Sequence, residues 1–148
     1  MPGYLDQYGA GEERRERIIK ITVLTLLAVA VVGGTAYFFL KNYRQERQVR
    51  EFFQLLQRHD YQAAYSLWGC TESKPCKDYP MQAFLQDWGP QSEHADLSSA
   101  RVTRSRSCGS GVIITVDYGH TGKEDKLWVQ REDLTIGFSP WPGCPPGR

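Results

Sequence analysis

The sequence predicts an α+β protein. One N-terminal transmembrane helix is followed by a small domain of about three helices packed on a curved antiparallel sheet. Three observations predict this. Residues 21–40 carry no charged side chain. Helical patterns follow between Tyr43 and Trp88. From Ser99 onward the texture changes to β-branched runs bounded by glycine. Helices and strands segregated along a chain indicate α+β rather than α/β.

The uncharged run Ile21–Leu40 has 20 residues. As a helix it rises roughly 30 Å, the thickness of a bilayer's hydrocarbon core. A helix satisfies its own backbone groups there. Lys20 and Lys41 bracket the run, and their ammonium groups reach the interface. Tyr37, Phe38, Phe39 and Tyr43 form an interfacial aromatic cluster. The rival reading is a cleaved signal peptide. Ala28-Val29-Ala30 matches the small-x-small cleavage pattern, behind Arg14, Arg15 and Arg17. Ten more apolar residues follow Ala30, however, which favours a retained anchor. The organisation is then 1–17 a short cytoplasmic tail, 18–43 the membrane helix, and 44–148 an extracytoplasmic domain. Residues 1–12 are glycine-bearing and poor in aliphatics and cannot fold alone; they read as an unfolded tail or as one held still by a partner protein. No Pro or Gly separates the span from the next helical pattern, so the two are expected to run on continuously.

Within the span, Ala30 and Gly34 are four apart, with Gly33 and Ala36 beside them. Small residues at this spacing let another helix backbone approach closely. The expected partners are therefore integral membrane subunits in helix–helix contact, and the lipid bilayer itself. Nucleic acid is not expected: 18 Lys+Arg against 17 Asp+Glu leave a net charge of +1.

Charge does not orient the span. Arg14, Arg15, Arg17 and Lys20 precede it; Lys41, Arg44, Arg47 and Arg50 follow. Cysteine is the better witness. Cys70, Cys76, Cys108 and Cys144 all lie after the span, which indicates an oxidising compartment for the C-terminal part. Four cysteines allow three pairings. Cys70 with Cys76 is favoured, closing the short loop CTESKPC. Cys108 with Cys144 would pin the WPGCPP segment onto the sheet. Four buried thiols are the alternative. The Cys-x5-Cys spacing, with no histidine at ligand spacing, speaks against zinc.

The domain begins with an amphipathic pattern, Val49, Phe52, Phe53 and Leu56. His59-Asp60 breaks it, with Asp60 as N-cap for YQAAYSLWG. There Ala64, Tyr65 and Trp68 face the core and Gly69 ends the helix. PMQAFLQDW is a third helix, with Pro80 at its first position and Met81, Phe84, Leu85 and Trp88 on its apolar face. SARVTRSRS is a polar edge strand. GVIITVDYG is the strongest strand, and GHTGKED is turn chemistry. DKLWVQRED alternates, with Leu127 and Val129 opposite Trp128. LTIGFSPW follows, with Ile136 and Phe138 on one face.

This order resembles the nuclear transport factor 2-like superfamily, over roughly residues 45–140. The carriers are FFQLLQRHDYQAAYSLW and the closing hairpin LWVQREDLTIGFSPW. The resemblance implies a cone of antiparallel sheet wrapped round helices, in a membrane-anchored layout. Members of that superfamily include isomerases, cyclases and dehydratases with an Asp or His at the pocket floor.

Each acid–base candidate has a plainer explanation. His59 and Asp60 sit at a helix–helix turn, where capping accounts for them. His94 lies in a polar loop and reads as a surface histidine. His120 sits at a hairpin tip. Asp117, beside Tyr118, is the best candidate, since an inward carboxylate there would have a raised pKa; an outward, solvated carboxylate is the favoured reading. Arg101, Arg104 and Arg106 form a basic stripe for an acidic partner or lipid headgroups; a protected edge strand explains it equally. No Walker loop, Gly-x-Ser-x-Gly elbow or His-Glu-x-x-His is present. The reading is a non-catalytic single-pass protein, an accessory or stabilising subunit of a larger membrane complex, without cofactor or metal. It would lie in the cell (inner) membrane with its N-terminus cytoplasmic. The alternatives are a small-molecule-binding or enzymatic cone domain and an envelope sensor or assembly factor.

Overall fold

Helix α1 runs from Asp6 to Leu40 in the computed structural model, which describes residues 6–119 and 122–145. The N-terminal segment, read as an unfolded or partner-held tail, is therefore helical from Asp6. Once a helix is nucleated, each further residue adds a hydrogen bond, so Gly9 and Gly11 do not stop it. The helix is long and apolar enough to cross a bilayer. Its large apolar side chains, from Ile18 to Leu40, are all exposed, between 54% at Ile19 and 74% at Phe39.

The helical run from Glu12 to Gln57 is interrupted at two residues only. Lys41 and Asn42 make a turn, and α2 spans Tyr43–Gln57. Asn42 leaves helical geometry, at φ −111° and ψ 7°. Its buried Oδ1 instead accepts a hydrogen bond from the Ser107 hydroxyl at 2.9 Å. The chain divides at the same place into two units, Met1–Lys41 and Asn42–Arg148.

In the second unit α2 buries Val49, Phe52, Phe53 and Leu56, the predicted stripe. It ends in a Schellman motif. His59 takes the left-handed conformation, φ 58°; its N–H reaches the Leu56 carbonyl at 3.0 Å, and that of Asp60 reaches Leu55 at 2.9 Å. Asp60 then caps α3 (Tyr61–Ser66), its carboxylate accepting from the Ala63 N–H at 3.1 Å. Gly69 follows at φ 76°, a conformation open to glycine. Helix α4 is Met81–Trp88. Pro80 is its N-cap rather than its first helical residue. Phe84 and Trp88 are buried, but Leu85, expected on the same face, is 38% exposed. It lies one residue, about 100° of helix, from Phe84.

The strands are β1 (Arg101–Cys108), β2 (Gly111–Asp117), β3 (Glu124–Gln130) and β4 (Ile136–Phe138), antiparallel in the order β1-β2-β3-β4. Val112, Ile114 and Val116 of β2 share the inner face with Leu127, Val129 and Ile136, all buried. The register sets Ile114 opposite Leu127, and Val129 opposite both Val112 and Ile136. The core between this face and the helices is aromatic. Phe52 lies 5.0 Å from Trp88 and 6.0 Å from Trp68, ring centre to ring centre. Phe138, expected on the Ile136 face, packs at 4.9 Å against Trp68 although 47% of it is exposed.

The outer face is closed differently. The Trp128 ring lies over Gly111, where any side chain would collide with it. Trp141 meets Trp128 edge-on at 5.6 Å. Lys126 donates to the Pro142 carbonyl at 2.6 Å. The disulfide Cys108–Cys144 holds this C-terminal segment down. That cover explains why Ile113, beside Trp128, is 4% exposed in a sheet whose outer face would otherwise meet water.

The second disulfide joins Cys70 to Cys76, so the bridges are the two pairs favoured from the sequence. On the loop-entropy model they are worth about 2.4 kcal/mol for the short loop and about 3.8 kcal/mol for the long one. The loop after Cys70 is further held by Tyr65, whose hydroxyl donates to the Tyr79 carbonyl at 2.7 Å.

Candidate functional site

The densest polar cluster in the domain gathers where three segments converge. The chain leaving α4 brings His94, the end of β2 brings Tyr118, and β3 brings Asp125. Asp125 has the same strand parity as Leu127 and Val129 and so belongs to the inner face. It sits at the open end of that face, with 37% of its side chain exposed.

His94 is the hub. Its ring stacks on Trp88 at 4.6 Å and meets Tyr118 at 4.9 Å. Nδ1 lies 2.9 Å from the Asp87 carbonyl, and Nε2 lies 2.7 Å from a carboxylate oxygen of Asp125. Both nitrogens therefore face acceptor oxygens. Tyr118 is 2% exposed. Its hydroxyl has no hydrogen-bond partner among the described residues. Burial first, then the charge of Asp125, pushes its phenol far above the usual range. It remains neutral. Glu93 and Lys123 pair at 2.6 Å on the rim, and Lys123 holds the Glu93 carboxyl below its usual range. A cavity of about 270 Å³ lies among Glu93, His94, Tyr118 and Lys123.

This arrangement ties a loop down. A general base needs a ring nitrogen within reach of a substrate proton. Both nitrogens of His94 are taken by fixed acceptors, and Trp88 and Tyr118 pack against its ring. The Ser99 hydroxyl donates to the Tyr118 carbonyl at 2.7 Å, and Gln57 donates to the Leu97 carbonyl at 3.1 Å. These contacts hold the segment from α4 to β1 across the end of the core.

The sequence-derived candidates are distributed otherwise. Asp117 is on the outer face, the solvated placement favoured from the sequence over the inward one that would have raised its pKa. Its carboxylate accepts from the Gly119 N–H at 2.8 Å and pairs with Arg101 at 3.3 Å. Those two contacts, the Gly119 N–H first, hold its carboxyl below the usual range. The inward carboxylate beside Tyr118 is Asp125, which sequence reasoning missed. The alternation in EDKLWVQ was the available signal, since it places Asp125 with Leu127 and Val129. His94 is not the surface histidine expected; 22% of its side chain is exposed. His59 and Asp60 serve as caps, and His120 lies outside the described residues.

Arg101, Arg104 and Arg106 do share a face, but strict alternation is not the reason. A register shift between Val102 and Arg104 brings Arg101 opposite Asp117 while Arg104 stands opposite Thr115 and Arg106 opposite Ile113. Arg104 and Arg106 are exposed. Ala30, Gly33 and Gly34 are also exposed, and a side chain at either glycine would meet nothing within 4 Å. All four cysteines are bonded. Among the described residues no group of three or more His, Cys, Asp or Glu is placed to hold a metal.

The molecule is thus an α+β chain with one long apolar helix and a disulfide-bonded domain whose polar cluster centres on His94. No protein-family model matches it, and no curated protein or solved structure does so either.

Proposed function

We propose that this chain is a single-pass membrane protein whose disulfide-bonded domain lies outside the cytoplasm, and that it serves as a non-catalytic accessory or stabilising subunit of a larger membrane complex. The observation that carries the proposal is the Ile21–Leu40 helix, uncharged and exposed on all sides. Water penalises such a surface, and a bilayer removes the penalty. The polar groups inside the run support the reading. The hydroxyls of Thr22 and Thr25 donate to the carbonyls of Ile18 and Ile21 at 2.8 Å, and Thr35 donates to Val31. Each is satisfied within its own helix, as lipid requires. At the C-terminal end Lys41 sits 4.5 Å from the Phe38 ring centre, an interfacial arrangement.

The partner in this reading is a neighbouring membrane helix laid against Ala30, Gly33 and Gly34. The basic face of β1 offers a second contact for an acidic surface. The kinship with nuclear transport factor 2-like domains is likewise proposed; helices preceding an antiparallel sheet, with its inner face packed on them, support it. Alkaline carbonate extraction tests the span, which predicts retention in the membrane pellet. Native-size analysis after mild detergent extraction tests the assembly. Co-migration with other membrane proteins supports the subunit reading, and a lone monomer overturns it.

A further inference from the structure

We infer that the exposed face of α2 binds the phosphate groups of anionic phospholipids; the inference rests on the membrane reading above. Arg47, Arg50 and Arg58 line a cavity of about 340 Å³ together with Glu51, Gln54 and Leu55. Spacings of three and four place these six on one stripe of the helix. The opposite face, Val49, Phe52, Phe53 and Leu56, is buried in the core, so the stripe cannot turn inward. Arg47 and Arg58 are in no ion pair among the described residues, and Arg50 contacts Glu46 at 3.1 Å. Three guanidinium groups against the Glu46 and Glu51 carboxylates leave the groove cationic by one charge. Guanidinium groups hold phosphate oxygens in paired hydrogen bonds. The Gln54 amide adds donors, and Leu55 offers an apolar contact for glycerol and the first methylenes.

Connectivity selects lipid over a soluble anion. Arg47 stands seven residues beyond Leu40, so even an extended chain keeps its Cα within about 25 Å of the end of the uncharged run. Tethering at that range raises the effective concentration of headgroups at the groove.

The test uses the full chain in nanodiscs of phosphatidylcholine containing a minor share of phosphatidylglycerol. Spin-labelled forms of each lipid report how much of each the protein immobilises. Wild type is expected to hold phosphatidylglycerol over phosphatidylcholine. Replacing Arg47, Arg50 and Arg58 together by Gln should abolish the preference, each guanidinium contributing roughly fivefold. Glu51→Gln should raise it, a gain that a misfolded variant would not show. Equal immobilisation of the two lipids by wild type overturns the proposal, as does an undiminished preference in the triple variant. Displacement by excess inorganic phosphate overturns the lipid assignment in favour of a soluble anion. Release of the chain by alkaline carbonate would overturn the membrane reading and this proposal together. A chain that is retained yet shows no lipid preference would overturn this proposal alone.

Discussion

Helices α1 and α2 follow one another in the chain and use apolar residues in opposite ways. Along α1, Leu24 is 73% exposed and Val32 68%, and the same holds round the whole helix. Along α2, Val49 and Phe52 are fully buried, while Arg47, Arg50 and Arg58 face out. Composition separates them first, since Ile21–Leu40 carries no charge and α2 carries Arg44, Glu46, Arg47, Arg50 and Glu51. Arrangement then decides what each does with its apolar residues. A stripe can be buried against a sheet, whereas a cylinder that is apolar all round needs an apolar solvent. The turn at Lys41–Asn42 marks where one requirement gives way to the other.

The sharpest way to break this contrast is Phe52→Ala. Phe52 contacts Phe53, Trp68, Phe84 and Trp88. Its truncation should destabilise the domain by about 3–5 kcal/mol, read by denaturant unfolding in detergent. The outer face of the sheet lacks a helix, so its cover should depend on the disulfide. Replacing Cys108 and Cys144 together by Ser should lower stability by about 2–4 kcal/mol, with a fall in Tm that reducing agent does not deepen at that site. At the end of α2, Asp60→Ala removes the α3 cap and should cost about 1 kcal/mol. His59→Gly relieves a left-handed residue and should add about 0.5–1 kcal/mol in the same assay. At α1 the expected effect on domain stability is nil. Gly34→Leu should leave unfolding of the domain unchanged and reduce co-purification with membrane partners. Unchanged co-purification would mean that α1 is an anchor only.

Local pattern made much of this molecule legible. The period of Val49, Phe52, Phe53 and Leu56 located the buried face of α2, because a helix repeats its own geometry. Asp60 announced a cap through short-range chemistry. The texture of GVIITVD announced the central strand. Legibility failed where distant segments decide. His94 looks solvated beside Glu93 and Asp96 in sequence, and becomes tethered only because Trp88, Tyr118 and Asp125 converge on it. The strand that carries Asp117 is apolar throughout, so its inward and outward faces looked alike. Both faces of β2 are in fact buried, one of them beneath the C-terminal segment, so apolar character did not reveal which face was which. Leu85 was misplaced because it lies about 100° round the helix from Phe84, away from the aromatic side chains that cover Phe84 and Trp88.

By itself, then, the sequence determined an uncharged run of bilayer length, the amphipathic stripe of α2, the helix-then-strand order and the favoured cysteine pairs. Most follow from interactions within a few residues or from composition; the Cys108–Cys144 pair, 36 positions apart, was favoured only because Cys70–Cys76 closes a short loop. Only the tertiary structure decided that α1 and α2 are separated at Asn42, whose side chain is claimed by Ser107, 65 positions away. It alone decided that a shift in β1 gathers Arg101 with Arg104 and Arg106, and that Asp125 rather than Asp117 faces inward. Those outcomes depend on register and long-range contact, which a one-dimensional pattern does not encode locally.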